Sequence, residues 1–137
     1  MKRLGILGAA LLCLGLAAPV VDAAPATPFT GSWTSTDPSD GSTQHLFIQG
    51  GSSVQILYVD EYGTVCDLIG ASTSVATAVL TGRVNGDQLD AWFKRGSCGS
   101  RGFLTAADFF AWTFLYDQNT DTLYGSLNDG PTTWYRD

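Results

Sequence analysis

From Phe29 onward the sequence consists of short runs rich in Val, Ile, Thr and aromatic residues, each bounded by Gly, Asn, Asp, Ser or Pro. These runs lack the helical spacing of apolar residues, and their separation by turn residues is typical of antiparallel strands. We therefore predict an all-β domain with strands at Gly31–Ser35, Thr43–Gln49, Val54–Asp60, Gly63–Cys66, Ser74–Val84, Gln88–Arg95, Asp108–Asp117, Thr122–Asn128 and Thr132–Arg136. For Gly63–Cys66 a loop is the alternative.

Short connections between about eight such strands favour an antiparallel meander. A meander of this size avoids exposed strand edges most simply by closing on itself. We therefore expect a closed β-barrel, with an open β-sandwich as the alternative.

The Asn85-Gly86 pair lies between two strand-like runs and predicts a type I′ hairpin turn. The turn would pair Val84 with Asp87 and set Leu80 opposite Ala91. In this register one face of the hairpin is small or apolar and the other is mostly polar.

A second hairpin is predicted around a four-residue loop that pairs Asp117 with Thr122. The first strand of this hairpin then carries an aromatic face of Phe110, Trp112, Phe114 and Tyr116. A slip of one residue would invert the face, so the register is a specific prediction.

The chain begins with Met1-Lys2-Arg3, continues without charge to Val21, and reaches a small-residue site at Ala23. This is the pattern of a secretory signal peptide, although an uncleaved membrane anchor is the alternative. We predict a signal peptide over 1–23, which would carry Cys13 away, an extended linker over 24–28 and a single domain over 29–137. The mature protein would be secreted and free of the membrane.

Cys66 and Cys98 are the two cysteines of the predicted mature chain. In an oxidising compartment such a pair is usually a structural disulfide, which would stabilise the fold by about 3–4 kcal/mol. A redox or nucleophilic cysteine is the alternative, but neither residue belongs to a Cys-x-x-Cys motif.

The formal net charge is −6, and loss of two basic residues and one acidic residue with the signal peptide would lower it to about −7. An acidic surface repels phosphate backbones and anionic membranes, so we do not expect nucleic-acid or membrane partners.

The sequence offers few residues for catalysis. His45 is the only histidine, and its strand position predicts a surface side chain. A hydrolase with an acidic site would have to use Asp60, Glu61, Asp87 and Asp90, but Asp60 and Glu61 are adjacent and are expected to be solvated turn carboxylates. We therefore predict no catalytic residue.

The spacing Asp117-x-Asn119-x-Asp121 matches the first three ligand positions of a calcium loop. The glycine and glutamate that complete such a loop are missing, and Asp and Asn commonly cap hairpin turns, as we also expect for Asp37–Gly41. We predict no metal site and no cofactor.

The chain contains four Trp, five Tyr and seven Phe residues. Most of them must form the core, and an interior completely filled with side chains is one possibility. If it is not filled, an eight-stranded barrel can hold one small ligand. The candidate lining residues are Trp33, Phe110, Trp112, Phe114 and Tyr116.

Several motifs resemble those of known families. The segments Gly31-Ser32-Trp33, Asp40-Gly41-Ser42, Tyr116-Asp117, Thr120–Leu123 and Trp134-Tyr135-Arg136, with the two cysteines, resemble a family of small uncharacterised secreted bacterial domains. That resemblance implies an extracellular setting. The opening Thr30–Trp33 and the pair Leu80–Arg83 with Ala91–Lys94 are similar to calycin-like barrels, the avidins and lipocalins, but the biotin-contact pattern of avidins is missing.

Together these features predict a secreted, non-enzymatic binding module. It would hold an unknown small apolar or aromatic ligand inside the barrel or present its loops to an extracellular protein. An extracellular structural or cell-surface domain and a hydrolase with an acidic site are the alternatives.

Overall fold

The computed structural model describes residues 26–68, 70, 73–99, 102–104, 111–127 and 130–137. Within these ranges the chain forms strands and one short helix. The elements are β1 (Gly31–Thr36), β2 (Thr43–Gly50), β3 (Ser53–Glu61), α1 (Val65–Leu68), β4 (Val75–Asn85), β5 (Gln88–Cys98), β6 (Gly102–Leu104), β7 (Trp112–Asp117), β8 (Thr122–Leu127) and β9 (Gly130–Arg136).

The strands form a closed antiparallel barrel. The sheet order is β4-β3-β2-β1-β9-β8-β7-β5, and pairing of β4 with β5 closes it into a ring of eight strands. The short strand β6 pairs separately with Gly96–Cys98 at the end of β5. The predicted all-β barrel is therefore confirmed, and the sandwich alternative is wrong.

Most strand boundaries lie close to the predicted ones, with two differences and one segment that cannot be compared. The predicted strand Gly63–Cys66 is wrong, because Val65–Leu68 forms the helical turn α1. β6 was not predicted, since three residues are too short to show a period. The predicted start of the seventh strand at Asp108 lies outside the described residues.

The turn of the β4–β5 hairpin lies one residue later in the chain than predicted. Asn85 pairs with Gln88, and Val84 pairs with Leu89 instead of Asp87. Gly86 therefore occupies the first central position of the turn with φ 61°, which is the type II′ arrangement. The shift preserves the two faces, so the inward set that includes Leu80 is as predicted.

The β7–β8 hairpin has the predicted register. Asp117 pairs with Thr122, Tyr116 with Leu123 and Phe114 with Gly125. Trp112 and Phe114 are accordingly buried.

Among the described residues, alternate positions of the eight ring strands point into the barrel and form one core. Because neighbouring strands run in opposite directions, the connections fall into two groups. The residues before β1, the chain end and the β2–β3, β4–β5 and β7–β8 turns lie at one end of the barrel, which we call the Arg136 end. The β1–β2 loop and the β3–β4 connection lie at the other, which we call the Asp60 end.

Aromatic and charged side chains close the Arg136 end. The Trp33 indole N–H donates to the Phe29 carbonyl at 2.8 Å, and the Arg136 guanidinium lies 4.0 Å from the centre of the Trp33 ring. Arg136 also donates to the carbonyls of Pro28 and Thr30 and forms an ion pair with Asp121 at 2.8 Å. All polar atoms of the guanidinium system therefore have partners in the fold.

The first glycine of the Gly-x-Trp opening has a steric role. Gly31 has φ 137°, and a Cβ at this position would lie 2.8 Å from an Arg136 guanidinium nitrogen. Only glycine accommodates both this backbone conformation and the approach of the arginine.

The predicted disulfide between Cys66 and Cys98 is formed, with a Cα–Cα distance of 5.5 Å. It joins α1 to the end of β5 at the Asp60 end, and both cysteines are buried. Such a bond is typical of proteins in oxidising compartments.

In the part of the chain that the structure describes, no helix combines the length and apolarity needed to cross a membrane. The predicted signal peptide 1–23, with Cys13, lies outside the described residues.

We predict that Arg136→Met lowers the free energy of unfolding by about 1–3 kcal/mol, because the carbonyls of Pro28 and Thr30 lose a charged donor and Trp33 loses its cation–π contact. Chemical denaturation would measure this change. Arg95→Met removes the same charge from an exposed position on β5 and should cost less than about 0.5 kcal/mol. Equal losses for both variants would show that Arg136 does not close the barrel.

Candidate functional site

Polar side chains are enclosed at the Asp60 end of the barrel. Six polar or acidic residues are buried there or beside it, with exposed fractions between 1% and 7%. They are Ser35, Asp37, Ser42, Gln44, Asp60 and Thr132. Buried polar groups of this kind normally have hydrogen-bond partners, so each partner has to be identified.

Asp37 organises one side of this region. Its Oδ1 accepts hydrogen bonds from the backbone N–H and the hydroxyl of Ser39, as expected for a turn residue. Its Oδ2 accepts a hydrogen bond from Gln44 Nε2 at 2.7 Å. Because a carboxylate can only accept, the Gln44 amide must direct its nitrogen to Asp37 and its oxygen away from it.

Asp60 lies next to Gln44, its partner in the β2–β3 ladder. Burial raises the pKa of the Asp60 carboxyl, and the negative charges of Asp40 and Asp37 raise it further, against the opposing effect of Ser42 and Tyr58. Burial, and after it the carboxylates of Asp60, Asp37 and Asp40, raise the pKa of Tyr58, so its hydroxyl keeps its proton. Three carboxylates therefore lie near one another at this end of the barrel, and two of them, Asp37 and Asp60, are buried.

Gly63 leaves room for the Asp60 carboxyl. A Cβ at Gly63 would lie 2.6 Å from the Asp60 Cγ atom. The turn after β3 therefore fits closely over the carboxyl and helps to keep it inside the barrel.

Asp40 differs from Asp60. Burial tends to raise the pKa of Asp40, but hydrogen bonds from the backbone N–H groups of Thr64 and Ser42 outweigh that effect and lower it. Asp40 thus links the β1–β2 loop to the segment before α1 and serves the structure of this end.

Five buried side-chain atoms in this region have no hydrogen-bond partner among the described residues. They are Ser42 Oγ, Gln44 Oε1, Asp60 Oδ1, Thr132 Oγ1 and Trp134 Nε1. Ser42 is near enough to Asp60 to affect its pKa, yet the Ser42 hydroxyl does not make a hydrogen bond of good geometry. An unpaired buried polar atom costs about 1–3 kcal/mol, so five in one region require a physical explanation.

An aromatic wall adjoins these polar atoms. The Tyr58 ring lies 5.0 Å from the Trp112 ring and 6.4 Å from the Trp134 ring, and Phe114 lies 6.2 Å from Trp134. Across the neighbouring strand, Ala76 and Ala78 pair with Asp60 and Tyr58 and place only methyl groups in the interior. The region therefore combines aromatic faces, small side chains and unpaired polar atoms.

The structure separates the predicted lining residues into two groups. Trp33 and Tyr116 pack edge to face at 6.4 Å and belong to the Arg136 end. Trp112 and Phe114 adjoin the polar atoms of the Asp60 end. Phe110 lies outside the described residues.

The acids considered for a hydrolase are dispersed. Asp60 is buried, whereas its neighbour Glu61 is exposed on the opposite face of β3. Asp87 is exposed in the β4–β5 turn, and Asp90 accepts hydrogen bonds from Gln88 and Thr113 on the outer surface. The expectation that Asp60 is a solvated turn residue is wrong, because closure of the barrel encloses it.

The other polar motifs have structural roles. Asp117 accepts the Asn119 N–H at 2.8 Å, and Asp121 binds Arg136, so both carboxylates stabilise the β7–β8 hairpin and the barrel end. His45 faces outward, next to the hydroxyl of Thr34. Within the described residues, no three His, Cys, Asp or Glu side chains are placed to hold a metal ion.

Sequence reasoning missed Asp37, Gln44, Asp60 and Thr132 as interior residues. A signal was present in the alternation of the strands. Gln44 lies on the same strand face as Leu46 and Ile48. Asp60 lies on the same strand face as Ile56 and Tyr58. Polar residues at strand ends are usually solvated, and that general rule outweighed the alternation.

Comparisons of the chain with protein-family models, with curated proteins and with solved structures give no match. The resemblances noted in the sequence therefore stay predictions.

We predict that Asp60→Asn stabilises the protein at neutral pH, because it removes a carboxylate charge that burial and the charges of Asp40 and Asp37 disfavour. A carboxyl with a raised pKa binds its proton more tightly in the folded chain, so its contribution is most favourable below the unfolded-state value near 4. Stability is then lost as the pH rises through the folded-state pKa. The gain from Asp60→Asn should therefore disappear towards pH 3.

Urea denaturation between pH 3 and pH 8 would measure the difference between wild type and variant. Glu61→Gln is the matched control, since it removes an exposed carboxylate from the next position. A stability difference for Asp60→Asn that does not change with pH would contradict the assignment of a costly buried charge.

Proposed function

We propose that this protein is an extracellular, non-enzymatic binding protein that holds a small ligand with an apolar or aromatic body at the Asp60 end of the barrel. The observation that carries the proposal is the group of five buried polar atoms without protein partners beside an aromatic wall. Ligand sites typically combine a mainly apolar lining with a few convergent polar groups.

The proposal also explains the asymmetry of the barrel. At the Arg136 end, the polar atoms of Arg136 and Trp33 have protein partners. At the Asp60 end, comparable groups are left unpaired. Proteins retain such unfavourable features mainly where function requires them.

Secretion is part of the proposal. It is supported by the signal-peptide pattern over 1–23 and by the Cys66–Cys98 disulfide. The calycin-like resemblance is compatible with the closed meander that opens with Gly31-Ser32-Trp33. The dispersed positions of Glu61, Asp87 and Asp90 give no support to hydrolysis by the acids that the sequence offered.

The proposal is tested by titration with 1-aminoanthracene, a polarity-sensitive dye that is neutral at pH 7. We expect saturable binding to one site, with energy transfer from tryptophan to the dye. Ala78→Leu, which projects a larger side chain into the site, should weaken binding at least tenfold. Val79→Leu enlarges the next residue of β4, which is not part of the buried core, and should leave binding unchanged.

Stability of the two variants supplies a second measurement. An interior with room for a ligand tolerates Ala78→Leu within about 1 kcal/mol, whereas a filled interior loses about 1–3 kcal/mol or more. The proposal fails if the wild-type protein does not bind the dye, or if Ala78→Leu is strongly destabilised while Val79→Leu is not.

A further inference from the structure

The unpaired atoms at the Asp60 end define a chemistry for the ligand. Asp60 Oδ1 is a carboxylate oxygen, and Gln44 Oε1 is an acceptor because its amide nitrogen already donates to Asp37. Ser42 Oγ completes a group of three oxygens that can accept hydrogen bonds. We call Ser42, Gln44 and Asp60 the acceptor triad.

The fold places the triad in one compact region. Ser42 and Gln44 are two residues apart and both are buried, so they face the same interior. Asp60 lies directly opposite Gln44 in the antiparallel ladder, where paired Cβ atoms are about 4.5–5.5 Å apart. The three unpaired oxygens therefore belong to one region of the interior, at the Asp60 end.

The electrostatic surroundings favour a positive charge at the triad. The charged side chains that act on Asp60 are Asp40 and Asp37, both negative. The neighbouring strands contribute the uncharged Gln44 and Ala76. Arg101 lies outside the described residues.

Basic side chains among the described residues form an ion pair with another carboxylate or lie on the outer surface, away from the acceptor triad. Arg136 is bound to Asp121 at the opposite end of the barrel, and Lys94 and Arg95 are exposed on β5. A buried carboxylate that faces only like charges is stabilised most effectively by a cation.

We propose that the Asp60 end binds an organic cation, a primary ammonium attached to a compact apolar or aryl body. The three N–H groups of the ammonium match the three oxygens of the acceptor triad, and the aryl body packs against Tyr58, Trp112 and Trp134. Aromatic faces attract cations as well as apolar groups, so the wall suits both parts of the ligand. The inference rests on the proposed function, since it specifies the ligand of the same site.

The test compares three ligands with the same body and different charge as competitors of bound 1-aminoanthracene at pH 7. They are 2-phenylethylammonium, neutral 2-phenylethanol and anionic 3-phenylpropionate. We expect the ammonium to displace the dye at a concentration at least tenfold lower than the alcohol, and the anion to be weakest. Calcium chloride is included, and displacement by Ca²⁺ at lower concentration than by the ammonium would overturn the proposal.

Two variants link the preference to the carboxylate. Asp60→Asn keeps the size of the side chain and should reduce the preference for the ammonium over the alcohol at least tenfold. Glu61→Gln removes the neighbouring exposed charge and should leave the preference unchanged. Ammonium binding by the wild type should also weaken in acid, where Asp60 takes up its proton, whereas binding of the alcohol should not.

The outcomes separate the two proposals. If the dye binds but all three ligands compete equally, or if Asp60→Asn does not alter the preference, the organic-cation inference is wrong and the binding function stands. If the wild-type protein does not bind the dye, the binding function itself is wrong, and this inference fails with it.

Discussion

Closure of the sheet through the β4–β5 pairing is the constraint on which the rest of the structure depends. Once eight strands form a ring, alternate residues of every strand face one shared interior. Side chains that water would reach at the end of an open sheet are then enclosed with the core. For this reason Gln44 and Asp60 are buried, although both lie near the ends of their strands.

The two ends of the barrel use similar residue types with opposite results. At one end an aspartate, Asp121, is paired with Arg136, and the pKa of the carboxyl is lowered mainly by that hydrogen bond. At the other end Asp60 faces Asp40 and Asp37, and burial raises its pKa. The first arrangement stabilises the fold, whereas the second weakens it in the absence of a bound partner. The binding site that we propose is our explanation for why the second arrangement is retained.

Local patterns were sufficient to predict much of the fold. Two-residue alternation and turn residues predict most of the strands, and the β7–β8 register follows from a loop that permits few alternatives. The β4–β5 register was wrong because Gly86 can serve either central position of a tight turn, and local preference does not choose between them. The helical turn at Val65–Leu68 was missed because it is too short to have a period of its own.

The candidate site shows where local information ends. Sequence determines that Gln44 and Asp60 lie on the same strand faces as their apolar neighbours. It also places aromatic residues such as Trp112 on an inward face. It does not determine that Asp37 turns the Gln44 amide, or that Trp134 lies beside Tyr58. The contact between Trp134 and Tyr58 joins two strands that are far apart in the chain, β9 and β3. Only the closed barrel brings them together, because position around the ring depends on the pairing of all eight strands.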